Sequence, residues 1–115
     1  MTTLDELQTR CARTSLAKTE PWSSQTDRQA MAALWLCAEA GEVADAVRRW
    51  SLVEGERETI SLGDVRDELG DVLWCLSECA TLLGLTLEEC AEAQRKKQER
   101  RYADVIALHD TEGPA

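Results

Sequence analysis

The chain has 115 residues, 43% of them apolar, which predicts one domain able to bury a modest core without disulfide or metal staples. Twenty-two Asp and Glu against thirteen Lys and Arg leave a formal net charge of -9, a balance that opposes association with a phosphate backbone, so no nucleic-acid partner is expected. No apolar run approaches the length of a membrane span, and the start Met1-Thr2-Thr3-Leu4-Asp5-Glu6-Leu7 lacks the basic and apolar stretches of a signal peptide; no membrane partner and a cytoplasmic location are expected.

Thr3 and Glu6 have the spacing of a capping box, in which a hydroxyl and a carboxylate satisfy free backbone N–H groups, and predict a first helix from Leu4 towards Lys18. Pro21 interrupts it. Thr26 with Gln29 repeats the capping spacing and opens a second helix, whose apolar positions Met31, Leu34, Trp35, Ala38, Val43, Ala46, Val47 and Trp50 recur at helical intervals. Ser51 to Ile60 has no period and reads as a polar connection. Ser61 is the expected N-cap of a third helix carrying Val65, Leu69, Val72, Leu73, Leu76, Ala80 and Leu83, which Gly84 ends. Thr86 and Glu89 cap a fourth, running into the basic stretch Arg95 to Arg101. The reading is all-α, a four-helix bundle formed by residues 1–108 as a single domain, with 109–115 a flexible tail. Five cysteines with no Cys-x-x-Cys pair, and His109 the lone histidine, support neither a disulfide framework nor a zinc site.

The most informative feature is an internal echo. Glu39-Ala40-Gly41-Glu42-Val43 on the second helix matches Glu68-Leu69-Gly70-Asp71-Val72 on the third. Residues three apart share a helical face, so each pair of acids points one way, and the glycine before each second acid suggests that the two backbones approach closely. A single such pair is ordinary surface decoration. Two matched pairs bordering apolar stripes are not, because four carboxylates converging at about 5 Å would repel by roughly 3 kcal/mol per pair at an effective dielectric of 20. Raised pKa values or a hard divalent cation, Mg2+ or Mn2+, would offset that repulsion. A di-iron bundle fits less well, since its Glu-x-x-His signature is absent.

The basic run offers a second chemistry. Lys97 and Arg101 lie four apart on one face and are placed to grip successive phosphates, although a helix C-terminus also favours such residues through its dipole. Arg95, Lys96 and Arg100 read as surface residues. Of the four tryptophans, Trp35 and Trp74 fall within apolar stripes and read as core; Trp22, in the connection after Pro21, is a candidate platform for stacking a base, and Trp50 a weaker one.

These residues carry a resemblance. Ala38 to Asp45, then Glu68-Leu69-Gly70-Asp71-Val72-Leu73-Trp74, then Lys97 and Arg101-Tyr102 resemble the MazG-like, all-α nucleotide pyrophosphohydrolases over residues 28–102. The resemblance implies cleavage of a nucleoside triphosphate between its α and β phosphates, giving monophosphate and pyrophosphate through metal-activated water. It implies Mg2+ (or Mn2+) held by Glu39, Glu42, Glu68 and Asp71, with Glu39 or Glu42 taking the water's proton. Lys97, Arg101 and Trp22 become substrate contacts, and a homodimer or homotetramer is expected because so small a chain has little depth for a complete pocket. The chain departs from the family's usual pattern at Ala38, where many relatives carry a second glutamate, and at Gln98. The rival reading is a non-catalytic helical interaction module that uses its acidic surface.

Overall fold

The computed structural model describes residues 1–15, 24–51 and 59–112, and among these every regular element is a helix: α1 (Leu4–Thr14), α2 (Gln25–Ser51), α3 (Leu62–Leu82), α4 (Leu87–Arg101) and α5 (Ala103–Glu112). The all-α expectation holds, and the helix number is five rather than four. The difference lies at Tyr102, whose backbone leaves the helical region (φ -127°, ψ 31°) while its N–H still donates to the Gln98 carbonyl at 2.8 Å. Ile106 N–H then donates to the Tyr102 carbonyl, and α5 restarts at once. Residues 109–112 thus belong to α5, not to the expected tail; 113–115 lie outside the described residues, as do Lys18 and Pro21.

Caps set the other boundaries. The Thr3 hydroxyl accepts from Glu6 N–H, while Ser61 with Asp64 and Thr86 with Glu89 form complete capping boxes. At α2 the predicted pairing is displaced by two residues: Asp27 N–H donates to the Ser24 hydroxyl at 3.1 Å, and Gln29, expected as the capping partner of Thr26, does something else. Its amide, with that of Gln25, donates to the Leu82 carbonyl at the far end of α3 (3.1 and 2.6 Å). Leu82 is in the last turn of α3, where carbonyls lack intrahelical donors, so α2 supplies the missing partners. Gly84, at φ 73°, closes the same terminus. Leu85 N–H bonds to the Ala80 carbonyl and Gly84 N–H to that of Thr81, the pairing of a Schellman turn that needs a left-handed residue between.

These contacts fix the topology. The start of α2 meets the end of α3, and Arg49 near the end of α2 donates to Thr59 just before α3, so α2 and α3 run antiparallel along each other. α1 crosses α3 and the start of α4, where the Gln8 amide bonds to Thr81 and to the Leu85 carbonyl and accepts from Leu87 N–H. α4 then leaves α3 at a bend of 103°. Every residue of α4 after Leu87 is exposed, so α4 stands off the α1–α2–α3 core as an arm.

The core is thin: Cys11, Ala32, Ala46, Val65, Cys75, Ala80, Leu82 and Leu87. The radius of gyration, 17.7 Å, exceeds the roughly 13 Å of a compact chain this long. Met31, Leu34 and Val47 on α2 and Leu69, Leu73 and Leu76 on α3 are exposed in the single chain. Gly41 and Gly70 do not bring helices together as expected; a Cβ built on either meets nothing within 4 Å. No single helix among the described residues is long and apolar enough to cross a membrane.

Candidate functional site

Because α2 and α3 are antiparallel, the middle of one faces the middle of the other, and that is where the two acidic pairs lie. Carboxylate oxygens of Glu39, Glu68 and Asp71 fall within 4.8 Å of one another. Glu42 is exposed and outside this trio, yet near enough for its charge to act on Glu68. The Glu68 carboxyl is held above its ordinary value, first by loss of solvent and then by the charges of Asp71, Glu42, Glu39 and Asp64. Three of the four acids expected to converge thus meet, and among the described residues no cation lies inside the trio. Three close carboxylates present hard oxygen donors only, a set suited to Mg2+ or Mn2+ rather than to a thiophilic metal.

The acids do not stand alone. Thr14, Trp35, Glu39, Asp71, Trp74 and Cys75 line one open pocket of about 480 Å3. Trp35 and Trp74 are half-buried, with ring centres 6.2 Å apart and planes tilted by 47°. The Trp74 indole N–H donates to the Thr14 hydroxyl at 3.0 Å, and that hydroxyl donates in turn to the Cys11 carbonyl. Both tryptophans were expected in the core; instead they form a wall beside the carboxylates. The signal was in the spacing: Trp35 precedes Glu39 by four and Trp74 follows Asp71 by three, so each shares a helical face with an acid of the cluster. Burial, and then the Glu39 charge, push the Cys75 thiol above its ordinary value, so it stays protonated at neutral pH.

Behind this wall sits a carboxyl group that sequence reasoning passed over. Glu78 is 1% exposed and accepts a hydrogen bond of 2.5 Å from the hydroxyl of Ser15, the C-cap of α1; its Oε2 and the hydroxyl of the adjacent Ser77 have no partner among the described residues. Together with the Trp74–Thr14 bond, this contact ties the end of α1 to α3 next to the pocket.

The basic residues are elsewhere. Arg95 is engaged within its own helix by Glu92 and Glu99, and Glu92 is correspondingly held below its ordinary value. Lys97 and Arg101 are exposed and make no hydrogen bond or ion pair with the described residues. With 1.5 Å of rise per residue and the 103° bend, about 20 Å separates the backbones of Asp71 and Lys97. The structure brings three of the four acids together and does not bring Lys97 and Arg101 to them. Trp22 lies outside the described residues.

A family model described as the MazG nucleotide pyrophosphohydrolase domain matches residues 27–106, a span that contains both acidic pairs, Trp35, Trp74 and the whole of α4. No curated protein sequence and no solved structure matches the chain.

Proposed function

The chain belongs to the MazG nucleotide pyrophosphohydrolase domain family, and from that premise we propose that it cleaves nucleoside triphosphates to the monophosphate and pyrophosphate, using Mg2+ or, in its place, Mn2+. The observation that carries this reading is the meeting of Glu39, Glu68 and Asp71 within 4.8 Å, a concentration of negative charge that no cation among the described residues neutralises. These three residues would hold the dication. When bound, it supplies charge neutralisation for phosphate oxygens and acidifies water.

The remaining tasks fall to side chains outside the trio. Glu42 is close enough to feel the cluster's field and is exposed, so its carboxylate is the one left free to accept a proton from the water that attacks the α-phosphorus. Glu39 then serves as a ligand rather than as the base. Displacement at phosphorus needs no covalent intermediate and asks of the protein mainly position and charge. Lys97 and Arg101, four apart on one face of α4 and without an ion pair among the described residues, suit the departing phosphates, Arg by its planar fork and Lys as a point charge.

The distance between α4 and the acids, and the apolar residues left uncovered on α2 and α3, support a homodimer or homotetramer in which α4 of one copy approaches the acids of another. The deciding experiment is pyrophosphate release from a panel of ribo- and deoxynucleoside triphosphates with and without Mg2+. Release that needs the metal and disappears in Asp71→Asn supports the reading. Folded protein that turns over no member of the panel removes it and leaves a non-catalytic module.

A further inference from the structure

Two thiols follow one another at an interval of four residues within the unbroken helix α3. We propose that Cys75 and Cys79 form a dithiol site for monosubstituted trivalent arsenicals, R–As(OH)2, whose arsenic bridges the two sulfurs across one turn of the helix. Its chemistry is separate from that of the acids, and it stands whether or not the chain hydrolyses nucleotides.

The pairing follows from helix geometry. Residues four apart lie on one face with Cβ atoms about 5–6 Å from each other. The chain has five cysteines, and no other two of them stand within one helical turn. Both are free thiols, and Cys79 is near enough for its charge to act on Cys75. Cys75 is only 3% exposed, yet it lines the open pocket of about 480 Å3, which gives a small reagent a way in and leaves room for the organic group. Cys79 is half-buried.

The ligand follows from length and valence. A disulfide asks for Cβ atoms about 3.5–4.5 Å apart, less than one helical turn offers, whereas a single atom placed between the sulfurs makes up the difference. A zinc-like cation is one such bridge, but it takes four ligands. Among the described residues the only group of three or more Cys, His, Asp or Glu within 4.8 Å of one another is Glu39, Glu68 and Asp71, which includes neither thiol, and residues 16–23 contain no Cys or His. A monosubstituted trivalent arsenical needs two sulfurs only, because its third bond goes to its own carbon. It is uncharged, so it forgoes nothing in a site that offers two ligands and no more. Burial first, and then acidic neighbours, hold both thiols above their ordinary values, so the S–H bonds are intact for condensation. In that step two S–H and two As–O bonds break and two As–S bonds form. The thiol protons leave in two water molecules, and arsenic stays trivalent.

The test uses phenylarsine oxide as the probe, read by intact mass and by competition with free thiols. Linking two binding groups strengthens attachment by about 10^2- to 10^4-fold over either group alone. Wild-type protein should take up one phenylarsenic group, hold it against excess 2-mercaptoethanol, which offers one thiol, and release it to 2,3-dimercaptopropanol, which offers two. Cys75→Ala and Cys79→Ala should each bind about 10^2-fold or more weakly. Cys37→Ser/Cys90→Ser, which removes the two exposed cysteines, should bind as wild type does. That double variant also keeps the test independent of how the alanine variants fold. Its tryptic peptide spanning residues 67–95 holds Cys75 and Cys79 as its only thiols, and the whole adduct should be found on it. An adduct that 2-mercaptoethanol strips from wild type, one that joins this peptide to the peptide containing Cys11, or binding within about tenfold of wild type in either alanine variant overturns the dithiol site.

Discussion

The α2–α3 pair and the α4 arm both concentrate charge, and they do it in opposite ways. On α4, Arg95 is answered within its own helix by Glu92 and Glu99, on side chains about half exposed, the inexpensive arrangement that any solvated helix can adopt. Between α2 and α3, three carboxylates face one another with no cation of the described residues among them, and loss of solvent, then the charges of their neighbours, hold Glu68 above its ordinary value. Folding has spent stability on the second arrangement and almost none on the first. An uncompensated cluster calls for a ligand, whereas a compensated one does not.

The sharpest way to break the contrast is to remove one acid. Asp71→Asn and Glu68→Gln should each lower kcat/KM for pyrophosphate release by about 10^3-fold or more, because a lost metal ligand forfeits several kcal/mol of transition-state stabilisation at 1.36 kcal/mol per decade. Without metal, the same substitutions should raise the melting temperature, since they relieve repulsion. Loss of activity together with loss of stability would mean that the acids are structural. Next in size is a complementation test. Asp71→Asn protein mixed with the Lys97→Ala/Arg101→Ala double variant, each inactive alone, should regain about a quarter of wild-type activity after subunit exchange if the arm serves a second copy of a dimer. No recovery, with exchange shown by tagged subunits, would place acids and arm in the same chain.

How far all this was legible in the sequence depends on the range of the interaction. Caps act over three residues, so Thr3, Ser61 and Thr86 were readable, as was the sharing of a face by Glu39 with Glu42 and by Glu68 with Asp71. That α2 and α3 lie antiparallel with their middles aligned is what turns two pairs into one cluster, and the echo between the segments was an indirect sign of it. Gln29 was misread because its three-residue spacing from Thr26 fitted a cap, while its real partner is Leu82, far along the chain. Glu78 was passed over because a carboxylate among apolar neighbours carries no local mark; only the fold places Ser15 against it. Gly41 and Gly70 were assigned a close approach that no helix among the described residues makes to either of them.

Glu78 also extends the comparison to stability, as a buried carboxylate with one partner. Ser15→Ala strips that partner and should cost about 1–3 kcal/mol in denaturant unfolding. Ser15→Ala with Glu78→Leu should recover most of it, because replacing both members by apolar groups leaves neither of them as an unpaired buried polar group. Gly84→Ala, which forces a Cβ into a left-handed position at the end of α3, should cost about 1–2 kcal/mol and leave metal-dependent activity unchanged.

The smallest effect tests the electrostatics of the cluster most directly. The Glu68 carboxyl is raised above its ordinary 4.5, mainly by desolvation and the Asp71 charge. A folded-state pKa above the unfolded one means that the native protein holds the proton more tightly, so this contribution to stability is complete below the unfolded value and disappears as pH rises through the folded one. Asp64 works in the other direction. Its capping bonds with Ser61 hold it below 3.8, so its contribution is present above that value and lost as pH falls. Bulk acid titration therefore mixes two opposing slopes, and the measurement that isolates the cluster is a difference. The melting temperature of wild type minus that of Glu68→Gln should fall as pH rises from below 4.5 towards neutrality in metal-free buffer. With Mg2+ present the trend should reverse, since the cation competes with the proton for the same oxygens and gains as the proton leaves. A difference independent of pH in both buffers would mean that Glu68 does not sense its neighbours, and the contrast between the crowded acids and the balanced arm would no longer identify a site.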